Sequence, residues 1–203
     1  MLIPTRTEIT HGLTGAWLLL KHDPGGVVWL DNSVPGLRKS FYAAVLIAPA
    51  YMLLIWIMGY AAFPDANLTA IYAIESAAYV VAWLLWPVIA WQACQLLDPG
   101  LDVRRYVVAL NWSEVWIMLV RLPVAGLYVA GLLDIAVVGL LDVLILLAVL
   151  VYRFVIAQLT LPAPSAMAAG LAFGDLVVGF TWRAATSFAA APYLVATSGY
   201  GAT

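Results

Sequence analysis

Polar residues leave five long apolar intervals between residues 41 and 183. About 20 consecutive apolar residues suffice to cross the ~30 Å hydrocarbon core of a bilayer as a helix. The pattern predicts spans over 41–63, 68–97, 106–131, 132–156 and 165–183. Pro64-Asp65-Ala66-Asn67, Asp98-Pro99-Gly100-Leu101-Asp102 and Leu161-Pro162-Ala163-Pro164 separate them with turn residues. Residues 184–203 read as a small, polar tail. A moderately apolar patch near Tyr193 leaves a partial or sixth helix open, and Pro192 argues against a full span.

Before the first span the period changes. Ile9, Leu13, Ala16, Trp17 and Leu20 recur at helical spacing, with Thr7, Thr10, Thr14 and Lys21 largely off that face. This predicts a short amphipathic helix lying in the membrane interface, apolar side down. His22-Asp23-Pro24-Gly25-Gly26 ends it, and Arg38 and Lys39 stand at the mouth of the first span. Arg6 is not followed by the short apolar stretch of a secretory signal. The expected fold is therefore an all-α membrane protein: an interfacial segment over 1–40, a five-span bundle over 41–183 and a tail over 184–203.

Composition narrows the function. Hydrophobic residues make up 65% of the 203 and charged residues 10%, too apolar for a soluble enzyme or a disordered chain. Nine Lys and Arg against eleven Asp and Glu leave no basic footprint for nucleic acid. The single cysteine, Cys94, excludes an internal disulfide. Arg6, Lys21, Arg38, Lys39, Arg104, Arg105 and Arg153 would all fall on one side of five spans, which predicts a cytoplasmic N terminus. Arg183, near the outer end of the fifth span, runs against that rule and is accommodated by snorkelling.

Five ionisable residues fall well inside the predicted spans, away from their ends: Glu75, Glu114, Arg121, Asp142 and Asp175. Each costs roughly 2.5–3.5 kcal/mol at mid-helix on insertion scales, so each needs a partner or water. At ~1.5 Å per residue, Arg121, Asp142 and Asp175 share one level, about 15 Å from the helix ends. Glu114 lies one heptad before Arg121 on nearly the same face. The expected arrangement is a network centred on Arg121, whose forked guanidinium can take two carboxylates. Such a network either fixes helix register or forms an ion or proton path. Pro49, Pro87 and Pro123 interrupt spans, as they do in ordinary membrane helices and at transporter sites. Ala166, Gly170 and Gly174 form a small-residue stripe on the fifth span, expected to pack another helix of this chain or of a second copy. Trp112 suits the interfacial belt, whereas Trp83 and Trp86 read as core or lipid-facing bulk.

Catalytic constellations are not met. Ala172-Phe173-Gly174-Asp175 lacks the first glycine of the Gly-x-Gly-Asp motif of intramembrane aspartyl proteases, and Leu141 rather than tyrosine precedes Asp142. His11 and His22 lie outside the spans, which removes a serine–histidine dyad and haem ligation. No metal or other cofactor is expected.

Three strings point to a family. Ser33-Val34-Pro35-Gly36-Leu37-Arg38-Lys39-Ser40-Phe41 enters the first span, 79–87 lies in the second, and Arg104-Arg105-Tyr106 through Asn111-Trp112 opens the third. With a cytoplasmic N-terminal segment ahead of about five packed spans, the layout over residues 30–183 resembles the Yip family (Ypt-interacting proteins) and its bacterial relatives. The resemblance implies a non-enzymatic scaffold, adaptor or membrane-shaping protein whose partners are the lipid bilayer and other membrane proteins. The alternatives are a small transporter or channel component using the intramembrane carboxylates, and an accessory subunit of a larger membrane complex.

Overall fold

The computed structural model describes residues 3–62 and 65–194, without the side chains of 58–62. All its regular structure is helical. Seven α-helices follow in order: α1 (Arg6–Leu20), α2 (Val34–Ser40), α3 (Tyr42–Ala62), α4 (Leu68–Leu97), α5 (Arg104–Val129), α6 (Ile135–Thr160) and α7 (Ser165–Ala190). Short 3-10 turns cover Pro24–Trp29 and Ala191–Tyr193. Five helices, α3 to α7, are long and apolar enough to cross a membrane.

Each of these five packs on two others, closing a ring in the order α3, α5, α6, α7, α4. The end of the ring holding the loops at 98–103 and 161–164, together with the N-terminal segment, is called proximal below. The end holding the loops at 65–67 and 130–134 is distal. Pro49, Pro87 and Pro123 sit inside helices that continue through them, so none ends a span. In a bundle, neighbouring groups satisfy the carbonyl that proline frees.

Two boundaries differ most from the pattern. α6 runs four residues past the predicted end, and α7 extends to Ala190, absorbing 184–190 from the supposed tail. Hydropathy marks where a helix is apolar, whereas backbone hydrogen bonds continue until a cap or proline stops them. The rest of the tail, 195–203, lies outside the described residues.

The N-terminal segment is the larger correction. α1 begins in a capping box, with Glu8 N–H donating to Thr5 Oγ1 and Thr5 N–H to Glu8 Oε2. Rather than presenting its apolar side to lipid alone, α1 packs across α5 and α6, while α2 packs on α5. Its buried face is Gly12, Gly15, Ala16 and Leu19, and Trp17 and Leu20 are exposed. Small residues decide this: a Cβ on Gly12 would lie 2.4 Å from the Trp112 ring, so only glycine permits the approach. Trp112, expected in the interfacial belt, is consequently 4% exposed beneath α1. Trp116 Nε1 donates to Leu13 O (3.1 Å) and the Tyr152 hydroxyl donates to Ala16 O (2.6 Å). Asn111 Nδ2 donates to Ser40 Oγ (2.8 Å), joining α5 to α2.

Lys39 Nζ closes the segment by donating to Glu8 Oε1 at 2.6 Å. That bond, seconded by the Thr5 N–H, holds the Glu8 carboxyl down at about 2. A carboxylate whose folded value is depressed stabilises the fold above its unfolded value and loses that contribution as pH falls through the folded one. Glu8→Gln is therefore expected to lower the unfolding midpoint at neutral pH, and the gap to wild type should close as pH falls from about 4.5 to about 2. Identical midpoints at pH ~7 would show that the pair contributes nothing to stability, the common result for exposed pairs.

Candidate functional site

The intramembrane charges form two groups and two singletons, and Arg153 takes the place expected for Arg121. Arg153 is 7% exposed. Its Nη2 pairs with Glu114 Oε1 on α5. Its Nη1 donates to Ser113 Oγ (2.9 Å), and its Nε lies 3.0 Å from Asp175 Oδ2 on α7. The Nε contact is out of line for a hydrogen bond, so that buried N–H has no partner. One guanidinium thus faces two carboxylates at the meeting of three helices.

The second group lies nearer the distal end. Arg183 Nη1 contacts Glu75 Oε1 and Oε2 at 3.0 and 3.1 Å, and the Tyr51 hydroxyl donates to Glu75 Oε2 (2.7 Å). Glu75 is buried, while the Arg183 side chain is 62% exposed. Arg183 therefore has a carboxylate partner inside the bundle, which accounts for a cation at the end where the loop rule disfavours one. Tyr79 stacks on Tyr51 (4.6 Å between ring centroids) and donates its hydroxyl to Ala44 O.

Arg121 and Asp142 make no hydrogen bond or ion pair with any described residue, and both are exposed. Their positions are nevertheless inward. Arg121 stands one turn from buried Ile117 and one turn from buried Ala125 on the same stripe of α5. Asp142 stands one turn from buried Val138, and its wheel position is within about 20° of Arg153. At ~1.5 Å per residue both lie about 10–12 Å from the distal ends of their helices. Two further inward positions are exposed in the same half: Ala82, one turn from buried Trp86, and Gly179, one turn from Asp175. Nothing lies within 4 Å of where a Gly179 Cβ would stand. Arg121, Asp142, Ala82 and Gly179 are thus exposed on stripes that elsewhere hold buried residues.

Proximally the ring is filled. Trp86 Nε1 donates to the Tyr106 hydroxyl (3.2 Å), with both residues buried. The same indole lies against Gly174, whose Cβ would fall 2.9 Å from Trp86 Cη2. Of the expected small-residue stripe only Gly174 makes such a contact. Ala166 and Gly170 are exposed, and nothing stands within 4 Å of a Gly170 Cβ. α7 instead buries Ala168, Leu171 and Ala172, because the helix face is set by where Trp86 can enter. Trp83 is partly buried against the core. Two cavities lie at the proximal end, away from these charges. One of about 330 Å³ is lined by Asp98, Asp102, Arg105 and Thr160, and one of about 160 Å³ is lined by Glu8, His11, Trp29 and Trp112.

Arg153 escaped the sequence reading through a boundary. With the fourth span ending at 156 it looked like a loop cation. With α6 continuing to Thr160 it lies about 10 Å inside the helix. The available signal was its wheel position, shared with Asp142 eleven residues earlier.

The described chain is an all-helical bundle in which five helices have the length and composition of membrane spans. No family model, curated protein or solved structure matches it.

Proposed function

We propose that this chain is a small membrane transport component, with a path for protons or other small ions entered through a distal opening of the helix ring. One observation carries the reading: Arg121 and Asp142 lie at matched depth on stripes that hold buried residues, yet are exposed and make no ion pair with any described residue. Ionisable side chains within a span face the bundle interior or a water-filled cavity, where they line ion and proton routes. Water in the opening would solvate both and reach the Arg153 group at its floor. The basic residues at the proximal end, Arg6, Lys21, Arg38, Lys39, Arg104 and Arg105, favour a cytoplasmic proximal face, so the opening would face outward, and the Yip-like layout favours a bacterial inner membrane.

Thiol accessibility tests this. In sealed vesicles, Ala82→Cys is expected to react with a water-soluble maleimide. Leu140→Cys, on the exposed outer face of α6, is expected to stay unreactive, and native Cys94 is buried. Equal, slow labelling at both positions would mean that lipid or protein fills the opening, and the transport reading would fall. The scaffold or adaptor role implied by the Yip resemblance would then be favoured. That reading rests on the three strings quoted above.

A further inference from the structure

We propose that Asp175 is the proton-carrying carboxyl of this path, with Arg153 as its fixed counter-charge. The inference rests on the transport reading and names the ion. Glu114 and Ser113 occupy the two terminal nitrogens of Arg153 and leave only the misaligned Nε for Asp175. Asp175 accepts no hydrogen bond from any described residue. Glu114 and Arg153 already neutralise each other, so an ionised Asp175 would be a surplus negative charge within the bundle. A bare carboxylate there is costly. Taking a proton removes the charge and supplies an O–H donor.

The groups facing Asp175 support a proton over a metal cation. α6 presents the Arg153 guanidinium and α5 presents Glu114 and the Tyr106 hydroxyl, to which the Trp86 indole of α4 donates. A metal cation would have to displace a guanidinium from between two carboxylates, and Ca²⁺ would need six or more oxygen ligands. A proton needs one oxygen. The transfer balances simply. Hydronium in the distal opening gives its proton to a carboxylate oxygen of Asp175, forming one O–H bond and leaving water, and release reverses the step. Gly179, one turn distal of Asp175, brings no side chain of its own, and nothing lies within 4 Å of where its Cβ would stand. The Trp86–Tyr106 bond closes the other side, so passage to the proximal end requires that bond to part.

The test uses the full chain in liposomes that enclose a pH-sensitive dye, driven by a potassium diffusion potential, with parallel samples reporting sodium and potassium. Wild type is expected to move protons. Asp175→Asn, which imitates the protonated acid, is expected to fall to the leak of protein-free liposomes while eluting and unfolding like wild type. Asp175→Glu is expected to keep proton flux with a displaced pH profile, a result that a purely structural aspartate would not give. Undiminished proton flux in Asp175→Asn, an unchanged pH profile in Asp175→Glu, or flux of sodium or potassium without protons would overturn the assignment and leave transport standing. No flux of any ion would overturn the transport reading as well.

Discussion

Arg153→Met is expected to cost about 3 kcal/mol of stability, the lower end of the penalty for removing one partner of a buried ion pair, because the Glu114 side chain left behind is 36% exposed. The side chain is 7% exposed and joins α5, α6 and α7 through Glu114, Ser113 and Asp175. Methionine fills similar volume, so packing is largely kept and electrostatics dominate. Glu114 would lose the one cation it pairs with among the described residues, and the Ser113 hydroxyl would lose a donor. Arg121→Met removes the same charge at a position with no partner among the described residues. Its effect on stability should stay within about ±0.5 kcal/mol, as for substitutions that touch no packed or paired group. Unfolding of both variants in one detergent, followed by loss of helical circular dichroism, separates the two. Equal losses would mean that Arg121 also holds the bundle together.

Gly12→Leu should have the next largest effect, and a different one. The Cβ alone would stand 2.4 Å from the Trp112 indole, and the leucine branches would go further into it. Overpacking of this kind costs about 1–3 kcal/mol. Here the cost falls on one interface, because the contacts of α1 with α5 and α6 can open without parting the spans. Trypsin should then cut at Arg6 and Lys21 much faster than in wild type, while helical content and elution hardly change. Unchanged cleavage would show that α1 already moves freely over Trp112. Gly12→Ala, with the same Cβ and no branches, should fall between.

These two residues mark what a linear pattern can and cannot convey. A span is a local property: twenty apolar residues partition into hydrocarbon wherever they lie in the chain, and the five intervals match α3 to α7 apart from their ends. Glu75, Glu114 and Asp175 were visible as charges needing partners for the same reason. The partners were not visible, because an ion pair between helices depends on which helices touch and at what height. Arg153 meets Glu114 across 39 residues of chain, and Arg183 meets Glu75 across 108. A four-residue error at the end of α6, about 6 Å of helix, was enough to move Arg153 out of consideration.

The number of spans, their order and the presence of costly internal charge follow from the sequence alone, since transfer into a bilayer is decided residue by residue. The tertiary structure decided the rest. It placed Arg153 rather than Arg121 at the centre of the charges, and laid α1 on Trp112 because glycine lets it come close. It also left Arg121, Asp142 and Gly179 exposed on stripes that elsewhere hold buried residues. Each of these depends on the height and crossing of helices, which packing sets and hydropathy does not encode.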